Sequence, residues 1–254
     1  MTNNVEFPPL GRRPVVVWSG PLEKGALRFV DNGLALAMFC FDGMMRVEVA
    51  EDRWFIPDRF GIWIPAGMAP LVAASDRIEF QVFQVNSRFC DRIAMPDHPA
   101  VLRATPLMRG IARRMVQGDP LPNAQERRLG WVALDEISRL KRPDLHLPGS
   151  KDVRLAQIIS HILAEPREAG SLARLARRAG ISERTLSRLF QNETGMTWRN
   201  WRDRMRFVLA LEGIQRGHGS TKLAASLGYS SPSAFVAAFR RQSGMTPTEW
   251  RHHR

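Results

Sequence analysis

The sequence is short of several residues and patterns that mark particular chemistries. Cysteine occurs only twice, at Cys40 and Cys90, with no CxxC pair. That argues against a disulfide scaffold and a thiolate zinc site, and makes a reducing cytoplasm the expected compartment. The first histidine in the chain is His98, so nothing before it offers the imidazole that usually ligates a catalytic transition metal. No stretch approaches the roughly 18 consecutive apolar residues of a membrane span. The N-terminus carries no basic segment followed by an apolar run, so no signal peptide is expected.

What is there is unevenly distributed. The 254 residues, 44% of them hydrophobic, suffice for two domains with separate cores. The net charge is +12, yet 18 of the 37 Lys and Arg residues and only 8 of the 25 Asp and Glu residues fall in 151–254. A basic surplus concentrated in one segment is what a phosphate-binding face requires.

The same segment contains one pattern written twice. The first copy runs Leu175-Ala176-Arg177-Arg178-Ala179-Gly180-Ile181-Ser182, then Leu186, Phe190, Gly195-Met196-Thr197 and Trp201-Arg202. The second runs Leu223-Ala224-Ala225-Ser226-Leu227-Gly228-Tyr229-Ser230, then Phe235, Phe239, Gly244-Met245-Thr246 and Trp250-Arg251. An internal repeat of this period signals a duplicated supersecondary unit. In each copy a short helix with Leu and Ala on one face leads to a glycine suited to φ > 0, and a second helix follows. Ser182 and Ser231-Pro232 read as the caps of those second helices. Two helices across a short glycine-containing turn form a helix-turn-helix, whose second helix can enter a DNA major groove. An all-α bundle with no nucleic-acid role is the competing reading.

Ala224 to Ser231, continued by Phe235, Phe239-Arg240, Gly244-Met245-Thr246-Pro247 and Trp250-Arg251, closely resembles the signature of AraC-family transcription regulators. The resemblance covers about the last hundred residues and is dense in both copies. It implies base-reading positions at Arg184, Ser187 and Arg188 on the first reading helix and at Ser233, Val236 and Ala237 on the second. Arginine bonds guanine O6 and N7 together, worth about 1–3 kcal/mol of discrimination; Ser233, Val236 and Ala237 offer little hydrogen bonding. The first helix is therefore expected to carry most of the sequence discrimination and the second mainly phosphate contacts. Ser182, Thr197, Asn200, Arg240 and Arg241 are the expected phosphate partners, with backbone N–H groups at the helix starts. A long helix from Trp198 to about Gln215, capped by Thr197, would hold the two readers about one DNA turn, roughly 34 Å, apart.

The preceding chain reads as strands. Residues 1–14 are polar and proline-rich and read as a loosely held arm. Apolar runs follow at Val15–Trp18, Ala26–Val30, Leu34–Phe41, Met44–Val49, Trp54–Ile56, Ile62–Ile64, Leu71–Ala73 and Ile78–Val85, with turn residues between them. Many short strands with regular turns imply a β-sandwich or barrel. Gly61-Ile62-Trp63-Ile64-Pro65-Ala66-Gly67 resembles the second motif of cupin barrels, found in the sensor domains of many AraC-family members. Metal-binding cupins have a histidine where this chain has Pro70, so the resemblance is to the shape without its metal chemistry, and neither a metal nor a cofactor is expected. Trp18, Trp54, Trp63, Arg28, Arg46, Glu48 and Glu79 are candidates to line a pocket, with core packing and solvated strand charges as the competing reading.

From Thr105 the periodicity is helical. Thr105-Pro106 reads as cap and N1, with Leu107, Ile111 and Met115 as a stripe. After Gly118–Pro122 a second helix is predicted over about Ala124–Leu140, with Leu129, Val132, Ala133, Ile137 and Leu140 along one side. In the resembled family helices at this place often form the dimer contact; packing on the barrel is the alternative.

The expected class is α+β: a cupin-like β-barrel sensor over 1–100, helices over 101–141, a linker over 142–151, and an all-α domain of two helix-turn-helix units joined by a long helix over 152–254. The implied function is ligand-responsive, sequence-specific transcription regulation, not catalysis. The implied partners are double-stranded DNA, a small-molecule effector, a second copy of the chain and RNA polymerase. The alternatives are a constitutive DNA-binding protein whose barrel only dimerises and, more remotely, a cupin-type enzyme with an appended helical domain.

Overall fold

A computed structural model describes residues 2–7, 10–74, 76–117, 123–142 and 145–252. The expected loop Gly118–Pro122 lies outside these residues, as do positions 143–144 of the expected linker. The chain divides into two compact units, one of residues 1–50 and 54–146, the other of residues 51–53 and 147–254.

All eight apolar runs form strands. They are β2 (Val15–Leu22), β3 (Gly25–Phe29), β4 (Leu34–Asp42), β5 (Met44–Val49), β6 (Asp52–Pro57), β7 (Phe60–Ile64), β8 (Leu71–Ala74) and β9 (Ile78–Asn86). Three more join them: β1 (Thr2–Val5), β10 (Ala100–Arg103) and the two-residue β11 (His146–Leu147). The strands do not close into one barrel. They form a six-stranded sheet ordered β1-β3-β8-β5-β6-β11 and a five-stranded sheet ordered β10-β7-β4-β9-β2. Each sheet keeps two edge strands, whereas closure would require every strand to be paired on both sides.

The loosely held arm is also corrected. Thr2–Val5 pairs in parallel with Ala26–Phe29. Leu10 is buried, and Asn86 Nδ2 donates to the carbonyls of Gly11 (3.1 Å) and Arg13 (3.2 Å). The polar sequence shows little of this order, because backbone pairing and the isolated apolar side chains of Phe7, against Phe29, and Leu10 hold the segment, not a periodic apolar face.

β4 shows why continuous apolar runs occur here. Its Ala35, Ala37 and Phe39 belong to the cluster that packs against the helices, while the alternate set Leu36, Met38 and Cys40 is buried as well. A strand covered on both faces needs no polar alternation. Gly61 permits the β4–β7 approach, since a Cβ there would lie 2.5 Å from the Met38 carbonyl and 2.4 Å from the Phe39 ring.

Two helices cover the five-stranded sheet: α1 (Pro106–Val116) and α2 (Asn123–Arg139). Thr105 caps α1 by accepting from the Met108 amide at 3.2 Å, with Pro106 in the first turn. Their inward faces differ from the expected stripes. Met108, Ile111 and Ala112 are buried on α1 while Leu107 is exposed, and on α2 Leu134 is buried while Val132 is exposed. Gly130 also faces inward, where a Cβ would lie 2.9 Å from the Pro14 ring. Turn-by-turn spacing marks a helix, but which neighbouring arc is covered depends on the sheet beneath.

The pocket candidates separate. Trp54 and Trp63 are core residues, Trp18 lies at the surface edge-on to Phe80, and Glu79 pairs with Arg77 at 2.9 Å. Trp63 Nε1 donates to the Pro96 carbonyl at 3.0 Å. Pro70, where the metal-binding motif has its histidine, is buried and its carbonyl accepts from the Phe29 amide at 2.9 Å.

The second unit is helical: α3 (Val153–Ala164), a 3-10 turn at Pro166–Gly170, α4 (Leu172–Arg178), α5 (Glu183–Thr194), α6 (Trp198–Gln215), α7 (Ser220–Ser226), α8 (Pro232–Ser243) and α9 (Pro247–His252). Within it Leu147–Ser150 is buried rather than solvated. The Trp201 indole donates to the Pro148 carbonyl at 2.8 Å, and the Gly149 amide to Asp52 at 2.9 Å. No helix among the described residues is long and apolar enough to cross a membrane.

Candidate nucleic-acid interface

Each half of the repeat builds a short helix, a left-handed glycine and a second helix. Gly180 has φ 66° and Gly228 φ 73°. The amide just beyond each glycine returns to its first helix, Ile181 to the Ala176 carbonyl at 3.0 Å and Tyr229 to the Ala224 carbonyl at 2.9 Å. These bonds satisfy helix-end carbonyls and fix the turn. The second helices then start on serine. Ser182 accepts from the Thr185 amide at 3.1 Å and Ser231 from the Ala234 amide at 3.1 Å.

On α5 the side chains divide cleanly. Leu186, Phe190 and Thr194 are buried, while Arg184, Ser187, Arg188 and Gln191 are exposed. Arg184 and Arg188 make no side-chain hydrogen bond or ion pair among the described residues. Two long cations left without an internal partner on one exposed helix face are suited to an external anion or a base edge.

On α8 Phe235 and Phe239 are buried. Ser233, Ala237, Arg240 and Arg241 are exposed and Val236 is half-buried. These five residues, with Thr246, line a single concave surface. Ser182 and Thr197 are occupied as caps, Thr197 accepting from the Asn200 amide at 3.3 Å. Asn200 itself is exposed, beside an exposed Arg199 that belongs to no repeated motif position.

Several supports were not visible in the sequence. Arg206, on α6, is buried, donates to the Gly228 carbonyl at 3.0 Å and lies 4.9 Å from the centre of the Tyr229 ring. Burial lowers its pKa, with repulsion from Arg202 adding to the effect. The same burial raises the Tyr229 pKa. This pair ties the long helix to the second turn. At the other end of the unit Glu193 accepts from the Ser150 hydroxyl (3.0 Å) and the Lys151 (3.0 Å) and Asp152 (3.2 Å) amides. The Ser150 bond first, then those amides, lower the Glu193 pKa. Asp152 caps α3 through the Arg154 and Leu155 amides. Paired patterning pointed to the outward faces; a charged side chain that braces from another helix leaves no local signal.

The same segment is similar to known helix-turn-helix proteins. Residues 175–253 match the family model described as a helix-turn-helix domain. The chain is 30% identical over 209 residues to the HTH-type transcriptional regulator NimR of Escherichia coli K12, covering 81% of this chain and 75% of that protein. Over 106 residues it is 28% identical to the HTH-type transcriptional activator RhaR of the same strain, covering 41% of this chain and 38% of the other. Among solved structures it is similar to the DNA-binding domain of AdpA in complex with a target DNA. That likeness is 29% identity over 39% of this chain and 89% of that one, with a TM-score of 0.37.

Proposed function

The chain belongs to the AraC family of helix-turn-helix transcription regulators, and from that premise we propose that α5 and α8 are its two DNA-reading helices, joined by α6 as a rigid connector. The observation that carries this reading is the repeated division of faces: buried aromatic and leucine anchors on one side, with Arg184, Ser187 and Arg188 or Ser233, Val236 and Ala237 on the other. Arg184 and Arg188 supply base discrimination, because a guanidinium forks two acceptors on guanine. The α8 face positions the protein, with Arg240 and Arg241 neutralising phosphates and Val236 and Ala237 reaching no more than a thymine methyl. Ser182, Thr197 and Asn200 lie at helix starts, where exposed amides and the helix dipole favour phosphate oxygens.

In this reading the first unit is a cupin-like sensor for a small-molecule effector. α1 and α2 contribute to a homodimer contact, and RNA polymerase is the downstream partner. Any effector acts by binding the active and inactive arrangements differently.

The test is fluorescence anisotropy of the full chain on genomic duplex fragments. Binding is expected to weaken by orders of magnitude as salt rises, because neutralised phosphates release counterions. A site mapped this way should be bound at least a thousandfold more tightly than scrambled duplex. Equal affinity for mapped and scrambled duplex would overturn the sequence-specific reading.

A further inference from the structure

We propose that the first unit binds a small organic polyanion, one carrying at least two anionic groups, in a cleft of about 610 Å³ framed by the β6–β7 turn, the exit of β10, the start of α1 and the end of α2. The volume falls within the range of small-molecule sites, which is about 300–1,000 Å³.

The cleft wall is strongly cationic. Arg59, Arg103, Arg109, Arg139 and Lys141 line it, and Glu136 is the one carboxylate among the lining residues. Glu136 is already engaged by the Thr105 hydroxyl. Arg103, Arg139 and Lys141 make no side-chain hydrogen bond or ion pair among the described residues. Arg109 is held in place, its guanidinium 4.7 Å from the centre of the Phe41 ring and donating to the Phe41 carbonyl at 3.3 Å. Phe41 and Leu140 add an apolar surface. Like charges gathered in a concavity repel and raise its potential. A ligand with two anionic groups relieves that repulsion, and guanidinium forks match the paired oxygens of carboxylates and phosphates.

A second observation is independent of charge. Arg59 has φ 66°, a conformation that glycine adopts freely and long side chains rarely do. It is fixed from both sides, its amide donating to the Cys40 carbonyl at 3.0 Å and its carbonyl accepting from the Ala104 amide at 2.8 Å. Folding alone would be served better there by glycine. Strained residues of this kind cluster at ligand sites, and this one lines the cleft.

As a binding site the inference stands on the first unit alone; as the effector site it rests on the regulator reading above. Thermal unfolding of the full chain is measured with citrate, with fructose 1,6-bisphosphate, and with sodium chloride at matched ionic strength. A ligand selective for the folded state raises Tm by mass action. The expected result is a rise beyond the salt control. Arg59→Gly should abolish that rise without lowering the unliganded Tm, and Arg139→Gln should weaken the apparent affinity at least tenfold. The double variant Arg184→Ala/Arg188→Ala should keep it. A response to citrate alone identifies carboxylates, one to the bisphosphate alone identifies phosphate esters, and either supports the site. The proposal is overturned if neither probe exceeds salt, if Arg59→Gly and Arg139→Gln respond as the parent does, or if the α5 variant loses the effect. Duplex affinity measured with and without the active probe scores the regulatory role: a Tm rise with unchanged duplex binding keeps the site and rejects the effector assignment.

Discussion

Thr194 and Ser243 make the same hydrogen bonds in the two halves of the repeat. The Thr194 hydroxyl lies 2.6 Å from the Phe190 carbonyl and accepts the Met196 amide at 3.2 Å. The Ser243 hydroxyl lies 2.9 Å from the Phe239 carbonyl and accepts the Met245 amide at 3.3 Å. Each sits one residue before a left-handed glycine, Gly195 or Gly244, so a hydroxyl and a glycine together end α5 and α8.

Because Thr194 is buried, Thr194→Val should lower stability by about 1–2 kcal/mol, leaving the Met196 amide without its acceptor. Ser243 is half-buried, and Ser243→Ala should cost about 1 kcal/mol or less, since water can replace the hydroxyl. Urea denaturation of the full chain measures both. An equal or reversed order would contradict the importance given to burial.

Gly180 and Gly228 hold equivalent turns but unequal surroundings. A Cβ at Gly180 would meet nothing within 4 Å, whereas at Gly228 it would lie 3.0 Å from the Arg167 Cα and carbonyl and from Arg206 Nη2. Gly180→Ala should therefore cost about 1 kcal/mol, the left-handed penalty alone. Gly228→Ala should cost at least twice as much and disturb the second unit. Thermal unfolding with circular dichroism separates the two.

Arg188→Ala should cost about 1–3 kcal/mol on the preferred duplex and narrow the gap between preferred and altered sequences. Arg240→Ala should weaken all duplexes alike and reduce the salt slope by about 1. Anisotropy titrations across a salt series distinguish them. Specificity relaxed by Ser233→Ala, with uniform weakening by Arg188→Ala, would reverse the roles of α5 and α8.

Acid stability should report the α3 start. Glu193 and Asp152 both have lowered pKa values in the folded chain; that of Asp152, held chiefly by Arg154, falls to about 2. A depressed carboxylate stabilises the fold fully above its ordinary value, 4.5 for Glu193 and 3.8 for Asp152. That contribution is lost as pH falls through the folded value. The fold should therefore be insensitive to these groups above about pH 5 and weaken progressively below it. Glu193→Gln should flatten the Glu193 part of the decline, as followed by denaturation midpoints from pH 6 to pH 3. An unchanged profile would show that the Ser150–Glu193 contact does not form in solution.

Local chemistry was the legible part of this chain. Caps such as Thr105, Ser182, Thr197 and Ser231, and the glycines at Gly180 and Gly228, act within a few residues and can be read from spacing. The apolar runs were equally plain, because strands in a covered sheet need unbroken apolar sequence. Long-range choices were not. Thr2–Val5 has no apolar pattern and is ordered by pairing with β3. Met108 rather than Leu107 faces inward because the sheet decides which arc of α1 is covered. Arg206 reads as one more surface cation in a basic segment, yet it is buried against the turn at Gly228. The cleft at Arg59 joins residues from four separate stretches, and a positive φ on arginine leaves no mark in the sequence.

Tyr229 is the one tyrosine in the chain, and it is half-buried between Arg206 and Phe235 at the foot of α8. A fluorotyrosine incorporated biosynthetically would therefore give a single NMR resonance with no assignment problem. Its position would follow α8 directly as duplex is added, turning a compositional scarcity into a built-in spectroscopic reporter.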